Sequence, residues 1–302
     1  MTQLGVVISS PLPSGMRLPN VANLAREAEA LGFDCIWAED LLYRGDRAVL
    51  DVTCVLSACA AATETIDIGS AIFAPSLRSL AWALKQVATV HLLAEGRLTL
   101  GVALGASSED EYRLAGLARA GQRQRTDEFL SVLAAWRENT GRSAMPGATG
   151  ALLLGGEGPA PPVWVGGTSP AALERAARFG DGWLSGSQTP AEFRTSLTRL
   201  QQLAQERGRP CPKAGVVLSV AVGPPSDDLA VVCAESMQTL YGTPGERAVE
   251  LAIGGTPEQV AEQIGLYVDA GAEKIAVVSA VLPWSRSWPQ LAEVRRLLLS
   301  RQ

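Results

Sequence analysis

Along nearly the whole chain, short apolar runs bounded by turn residues alternate with longer runs of helical periodicity, and this alternation limits the fold more than any other feature. A strand is predicted over 4–8 and a helix over 20–31, whose Val21, Leu24, Ala28 and Leu31 share one face and whose natural stop is Gly32. A second strand follows over 35–38, a helix over 52–62, a third strand over 66–73 closed by Pro75, and a helix over 80–93. A fourth strand spans 98–104, then comes a polar stretch over 107–123, then a helix over about 126–136 opened by Thr126-Asp127-Glu128.

The segment 139–162 is rich in Gly and Pro and lacks a helical period, so it reads as an excursion or short hairpin between units. The alternation then resumes, with strands over 163–165, 182–184, 216–222 and 275–278. Helices are expected over 171–179, 191–207, 229–240, 257–270 and 288–299. Eight strands this apolar, without sustained polar alternation, are expected where helices cover a parallel sheet and side chains fill its interior. The prediction is a single-domain (β/α)8 barrel over 1–302, of the TIM type, with an insertion around 139–162. A doubly wound open sheet is the alternative, but it favours a Gly-rich turn after the first strand. That turn here is Ser9-Ser10-Pro11-Leu12-Pro13.

Composition narrows the function. With 47% hydrophobic and 19% charged residues in 302, the chain has ample core, and a net charge of -5 argues against a nucleic-acid partner. Cys35, Cys54, Cys59, Cys211 and Cys233 are odd in number and lack CxxC spacing, so they read as reduced, buried hydrophobes rather than a disulfide frame or zinc site. Neither a secretory leader nor a membrane span is legible, and a cytoplasmic protein acting on a small molecule is expected. The single histidine, His91, falls in a helix at the end away from a barrel mouth, which disfavours His-centred triads and His-ligated metal.

In a β/α barrel the chemistry sits at the C-terminal ends of the strands. After the second strand stand Glu39, Asp40 and Tyr43, with two carboxylates able to polarise or deprotonate a substrate in a water-poor mouth, or to pair with Arg44 or Arg47 in a structural role. After the fifth strand, Gly166-Gly167-Thr168-Ser169-Pro170 offers backbone N–H groups and hydroxyls at a helix start, which suits a phosphate. The same residues equally describe Ser169 as an N-cap with Pro170 behind it. Trp284, after the eighth strand, is placed to hang over the mouth and stack on a ring.

Several stretches in this order resemble the bacterial luciferase-like family of FMN- and coenzyme F420-dependent oxidoreductases: Glu27 to Asp34 with Trp37, Thr63 to Gly69, Gly96 to Gly101, Arg125 to Glu128, and Gly180 to Trp183. The resemblance implies FMN or F420 lying across the barrel mouth with its phosphate at Thr168 and Ser169. It also implies a cis peptide at Ala71-Ile72 behind the ring, the backbone of Ala103 and Gly105 beneath it, Asp40 at the acidic position, and a homodimer. Where many members carry a histidine after that acid, this chain has Leu41; where some carry an acidic donor or an arginine near the fourth strand, it has Ala106 and Leu104. The implied activity is hydride transfer to, or hydroxylation of, a small organic substrate, with Glu39, Asp40, Tyr43 or solvent supplying protons. A luciferase-like barrel that binds the cofactor without turnover is the competing class.

Overall fold

The computed structural model describes residues 2–8, 12, 20–105, 109–138, 142–144, 151–153, 159–186, 188–225 and 228–301, with the backbone alone for 142–144 and 151–153. The strands are β1 (Gln3–Ile8), β2 (Cys35–Ala38), β3 (Asp67–Ser70), β4 (Leu98–Val102), β5 (Arg142–Ala144), β6 (Ala151–Leu153), β7 (Val163–Gly166), β8 (Gly182–Gly186), β9 (Lys213–Val222), β10 (Ile253–Gly255) and β11 (Lys274–Ser279). Parallel pairing runs β1-β2-β3-β4-β7-β8-β9-β11 and returns to β1, which closes the expected eight-stranded barrel. In the insertion, β5 and β6 form an antiparallel hairpin outside the barrel.

Helices α1 (Val21–Ala30), α2 (Val52–Ala62), α3 (Leu80–Ala94), α4 (Glu109–Leu114), α5 (Gln122–Glu138), α6 (Pro170–Phe179), α7 (Pro190–Glu206), α8 (Leu229–Tyr241), α9 (Gly245–Leu251), α10 (Pro257–Asp269) and α11 (Trp284–Leu299) accompany the strands. Several elements differ from the sequence reading, β3 and β4 among them, which end at Ser70 and Val102. The polar stretch after β4 contains α4, and α5 begins at Gln122 because Thr126, read as a cap, instead donates its hydroxyl back to the Gln122 carbonyl inside the helix. Between β9 and β11 lie α9 and the short β10, which pairs with Val220–Val222 beyond the part of β9 that β8 occupies. The last helix starts at Trp284, four residues earlier than expected.

Strand positions divide by parity. Leu4, Val6, Ile36, Ile68, Leu98, Leu100, Val163, Val165, Val216, Ile275 and Val277 pack outward into one core with the helices. The inward set is different. Val7, Cys35, Trp37, Ala276 and Val278 form a separate cluster in the lumen, with Ala71, Val217 and Tyr241 against it. Two indoles fill the lower lumen where glycines leave room: a Cβ on Gly5 or Gly69 would lie within 2.7 Å of Trp37, and one on Gly182 or Gly215 within 2.7 Å of Trp164. Lys274 sits between these rings, its Nζ 5.7 Å from the Trp37 centroid and 5.5 Å from that of Trp164, beside Thr99 Oγ1 at 3.3 Å and the Asp67 carboxylate at 3.6 Å.

Candidate active site at the barrel mouth

The upper ends of the strands present small residues toward the axis. The Ala71–Ile72 peptide bond is cis, as the resemblance implied, and Ile72 and Ala103 close around Gly166. A Cβ on Gly166 would lie 2.9 Å from Ile72 Cγ2 and 3.2 Å from Ala103 Cβ, so the ends of β3, β4 and β7 meet in a continuous low floor. Gly105 follows at φ 89°, a conformation that suits glycine. On the other side, a Cβ on Gly186 would meet nothing within 4 Å. That open space belongs to a cavity of about 130 Å³ walled by Val217, Val278, Met237 and Leu251, with Glu39 and Tyr241 at its polar edge.

Asp40 is buried just past the end of β2. Its Oδ2 accepts from the Ala74 N–H at 2.8 Å and from Arg78 Nη1 at 2.5 Å, and its Oδ1 accepts from Arg78 Nη2 at 2.9 Å. Arg78 lies over the Phe73 ring at 4.7 Å. Burial works against the Arg78 charge, but the bond to Asp40 outweighs it and the guanidinium is held above its ordinary value. Asp40 thus ties the end of β2 to the turn after β3. Its partner is Arg78, not the expected Arg44 or Arg47.

Glu39 points the other way, into the mouth, where its Oε1 accepts from the Tyr241 hydroxyl at 3.0 Å. Tyr43 stands on the rim with 39% of its surface exposed, and its backbone N–H, with that of Leu42, is directed to Glu111 Oε1. Glu111 is fully buried and fixes this loop, while its Oε2 has no hydrogen-bond partner. Arg78, Glu111 and Tyr241 were not singled out from the sequence. A signal for Tyr241 existed, since two predicted helices separate the seventh and eighth strands where a barrel repeat needs one. The first of these, α8, ends at Tyr241 over the lumen rather than returning to the lower face.

The turn after β7 shows its capping geometry directly. Ser169 Oγ accepts from the Ala172 N–H at 3.2 Å and Pro170 opens α6. The Gly167 N–H is donated to the Leu184 carbonyl, and the Gly167 carbonyl accepts from Trp183 Nε1. The hydroxyls of Thr168 and Ser169 remain on the exposed side of the turn as donors. Ala106 lies outside the described residues.

Trp284 corrects the sequence reading. It is 2% exposed, stacks on Trp288 with ring centroids 5.9 Å apart and belongs to the main core, so it does not overhang the mouth. Cys54 and Cys211 are exposed rather than buried; Cys35, Cys59 and Cys233 are buried, and burial pushes the Cys233 thiol up to about 11. Among the described residues no cluster of side chains suits a metal ion, and no helix is long and apolar enough to cross a membrane.

The sequence pattern of the luciferase-like monooxygenases matches residues 2–241. The 5,10-methylenetetrahydromethanopterin reductase of Methanolobus tindarius is 25% identical over 256 residues, covering 84% of this chain and 73% of that protein. Two solved structures share the fold. An F420-dependent secondary alcohol dehydrogenase in complex with an F420-acetone adduct superposes with a TM-score of 0.81 at 18% identity, over 98% of this chain and 99% of its own. The oxygenating constituent of 3,6-diketocamphane monooxygenase from Pseudomonas putida, in complex with FMN, gives 0.77 at 16% identity, over 97% and 96%. With an eight-stranded parallel barrel, a low floor at its mouth and a family match over four-fifths of its length, this chain belongs to the luciferase-like monooxygenase family.

Proposed function

We propose that this family member, an oxidoreductase working with FMN or coenzyme F420, holds the cofactor ring across the barrel mouth and exchanges hydride with a small, largely apolar substrate. The observation that carries this reading is the floor itself. Ala71, Ala103, Gly105 and Gly166 carry nothing larger than a methyl group at the strand ends, Ile72 packs against the cluster of Ala74, Leu77 and Tyr112, and a cavity with Val217, Met237, Leu251 and Val278 on its walls opens at Gly186. A flat ring fits such a surface, and the hydroxyls of Thr168 and Ser169, at the Gly166-Gly167 turn, would hold its phosphate. Once bound, either cofactor supplies the two-electron chemistry, so the protein's part is to align the substrate, exclude water and handle protons.

Within that division of labour, Asp40 is a positioning residue and Glu39 is the carboxylate facing the substrate. Tyr43 covers the rim. The substrate class follows from the cavity: about 130 Å³, with Val217, Leu218, Met237, Leu251 and Val278 set against a polar side at Glu39, Gln188 and Tyr241, admits a compact organic molecule with a polar group. Hydroxylation is the variant expected if the cofactor is FMN. The chain is proposed to act in the cytoplasm as a homodimer, and sedimentation showing only monomer at micromolar concentration would overturn the dimer. Titration with FMN and with F420, followed by fluorescence, tests the central claim. Tight binding of one names the redox chemistry, whereas binding of neither would remove the basis for the oxidoreductase reading.

A further inference from the structure

The geometry points to Tyr241 as the group that exchanges a proton with the substrate, with Glu39 behind it as the proton reservoir. This assignment rests on the oxidoreductase reading above and adds to it a residue from outside the β/α repeat. Tyr241 is the last residue of α8, and Gly242 at φ 69° turns the chain away after it. Its ring packs on the lumen cluster of Val7, Trp37 and Val278, and its hydroxyl donates to Glu39 Oε1 at 3.0 Å across 202 residues of sequence. Helix and strand end therefore converge on one hydrogen bond.

That bond lies on the wall of the cavity beside the floor. The wall also carries Ser219 and Thr243, and its Gln188 and Tyr267 are engaged with structural partners. Gln188 Oε1 accepts from the Ser185 hydroxyl at 2.7 Å, its Nε2 donates to Ser196 Oγ at 2.8 Å, and its carbonyl accepts from the Tyr267 hydroxyl at 2.9 Å. The Tyr241–Glu39 pair differs because one hydrogen bond joins a phenol to a carboxylate on the wall of a chamber that also presents Val217, Met237, Leu251 and Val278. The chamber has room for roughly four water-sized groups. A small ketone, or the corresponding secondary alcohol, fits both the volume and the polar edge.

Ketone reduction needs a proton at the carbonyl oxygen, and this pair is placed to supply one. When a ketone is reduced, its carbonyl carbon gains a C–H bond with two electrons from the reduced flavin or deazaflavin, and the C=O π pair moves onto oxygen. That oxygen takes the proton from Tyr241 Oη, breaking the phenol O–H bond as the product O–H forms. Tyr241 recovers a proton from the Glu39 carboxyl, which is half-buried and is recharged from solvent. Alcohol oxidation runs the same relay backwards: the substrate proton passes to Tyr241 Oη as the phenol proton passes to Glu39 Oε1, matching the direction of the hydrogen bond observed.

The test compares wild type, Tyr241→Phe and Glu39→Gln, each loaded with whichever cofactor the titration selects and assayed with acetone, 2-butanone, cyclohexanone and their alcohols. Tyr241→Phe is expected to bind cofactor within about twofold of wild type and to lose roughly 100-fold or more in kcat with little change in KM; Glu39→Gln should lose about tenfold. A second readout is independent of turnover. With tyrosines carrying ¹³C at Cζ, the resonance absent from Tyr241→Phe should shift on Glu39→Gln and on adding cyclohexanone. Wild-type kcat in Tyr241→Phe, or a Tyr241 resonance that the ketone leaves in place, would overturn the assignment while the oxidoreductase reading stands. If neither cofactor binds, that reading fails instead, and the resonance measured on the apoprotein with cyclohexanone still decides the Tyr241 contact.

Discussion

Removing the Asp40 carboxylate would leave the Arg78 guanidinium buried without its partner and the Ala74 N–H without an acceptor. Asp40→Ala is therefore expected to lower unfolding stability by about 3–5 kcal/mol, read from urea midpoints, because breaking a buried pair strands the surviving charge. Glu29 is a different case. Its Oε1 collects the N–H groups of Glu64, Thr65 and Ile66 and the Thr65 hydroxyl. Burial pushes this carboxyl up, but those donors outweigh it and hold it below the ordinary carboxylate value. A carboxyl depressed in the folded state contributes stability that is complete above the unfolded pKa of about 4.3 and fades as pH falls through the lower folded value. Glu29→Gln should therefore flatten the acid side of the stability curve below about pH 5, and urea midpoints at pH 6, 4 and 3 check it. An unchanged acid slope would place the titration elsewhere.

At the scale of elements, the barrel was legible because strands covered outside by helices and filled within by side chains read as apolar runs, as β2 and β7 do, although β3 carries Asp67 and Ser70. One missed boundary, the start of α5, has a clear cause in polar side chains that imitate a helix cap while bonding elsewhere. Thr126-Asp127-Glu128 has the look of a helix start, yet Thr126 bonds back along α5 and Asp127 pairs with Arg175 on α6. Asp40 and Arg78 are 38 residues apart, and only the adjacency of β2 and β3 brings them together. The stretches that carry the family resemblance brace the scaffold in the same way. Arg97 donates to Thr63 Oγ1 and to the Ala60 and Ile66 carbonyls, Arg125 holds Ser76, Ala118 and Ala120, and Asp181 joins the Val163 N–H to Arg137. Two glycines at the mouth separate scaffold from site experimentally. Gly166→Val must displace Ile72 and Ala103 and should cost about 1–3 kcal/mol of stability. Gly186→Leu grows into open space, so its urea midpoint should stay within about 0.5 kcal/mol of wild type while the filled cavity abolishes turnover.

For the molecule as a whole, the barrel divides its two faces. Below the mouth, Trp37 and Trp164 with Lys274 between them occupy the lumen, and a separate polar hollow bordered by Asp34, Asp67, Lys213 and Arg295 opens on the lower face. Among the described residues, the two indoles close the cup from below. Whatever lies deepest leaves last, so a cofactor held as proposed over the floor would stay for as long as a second molecule sits above it. Cyclohexanone at saturating concentration should accordingly slow the release of bound cofactor, measured by stopped-flow displacement, and an off-rate indifferent to the ketone would mean that the two leave by separate exits.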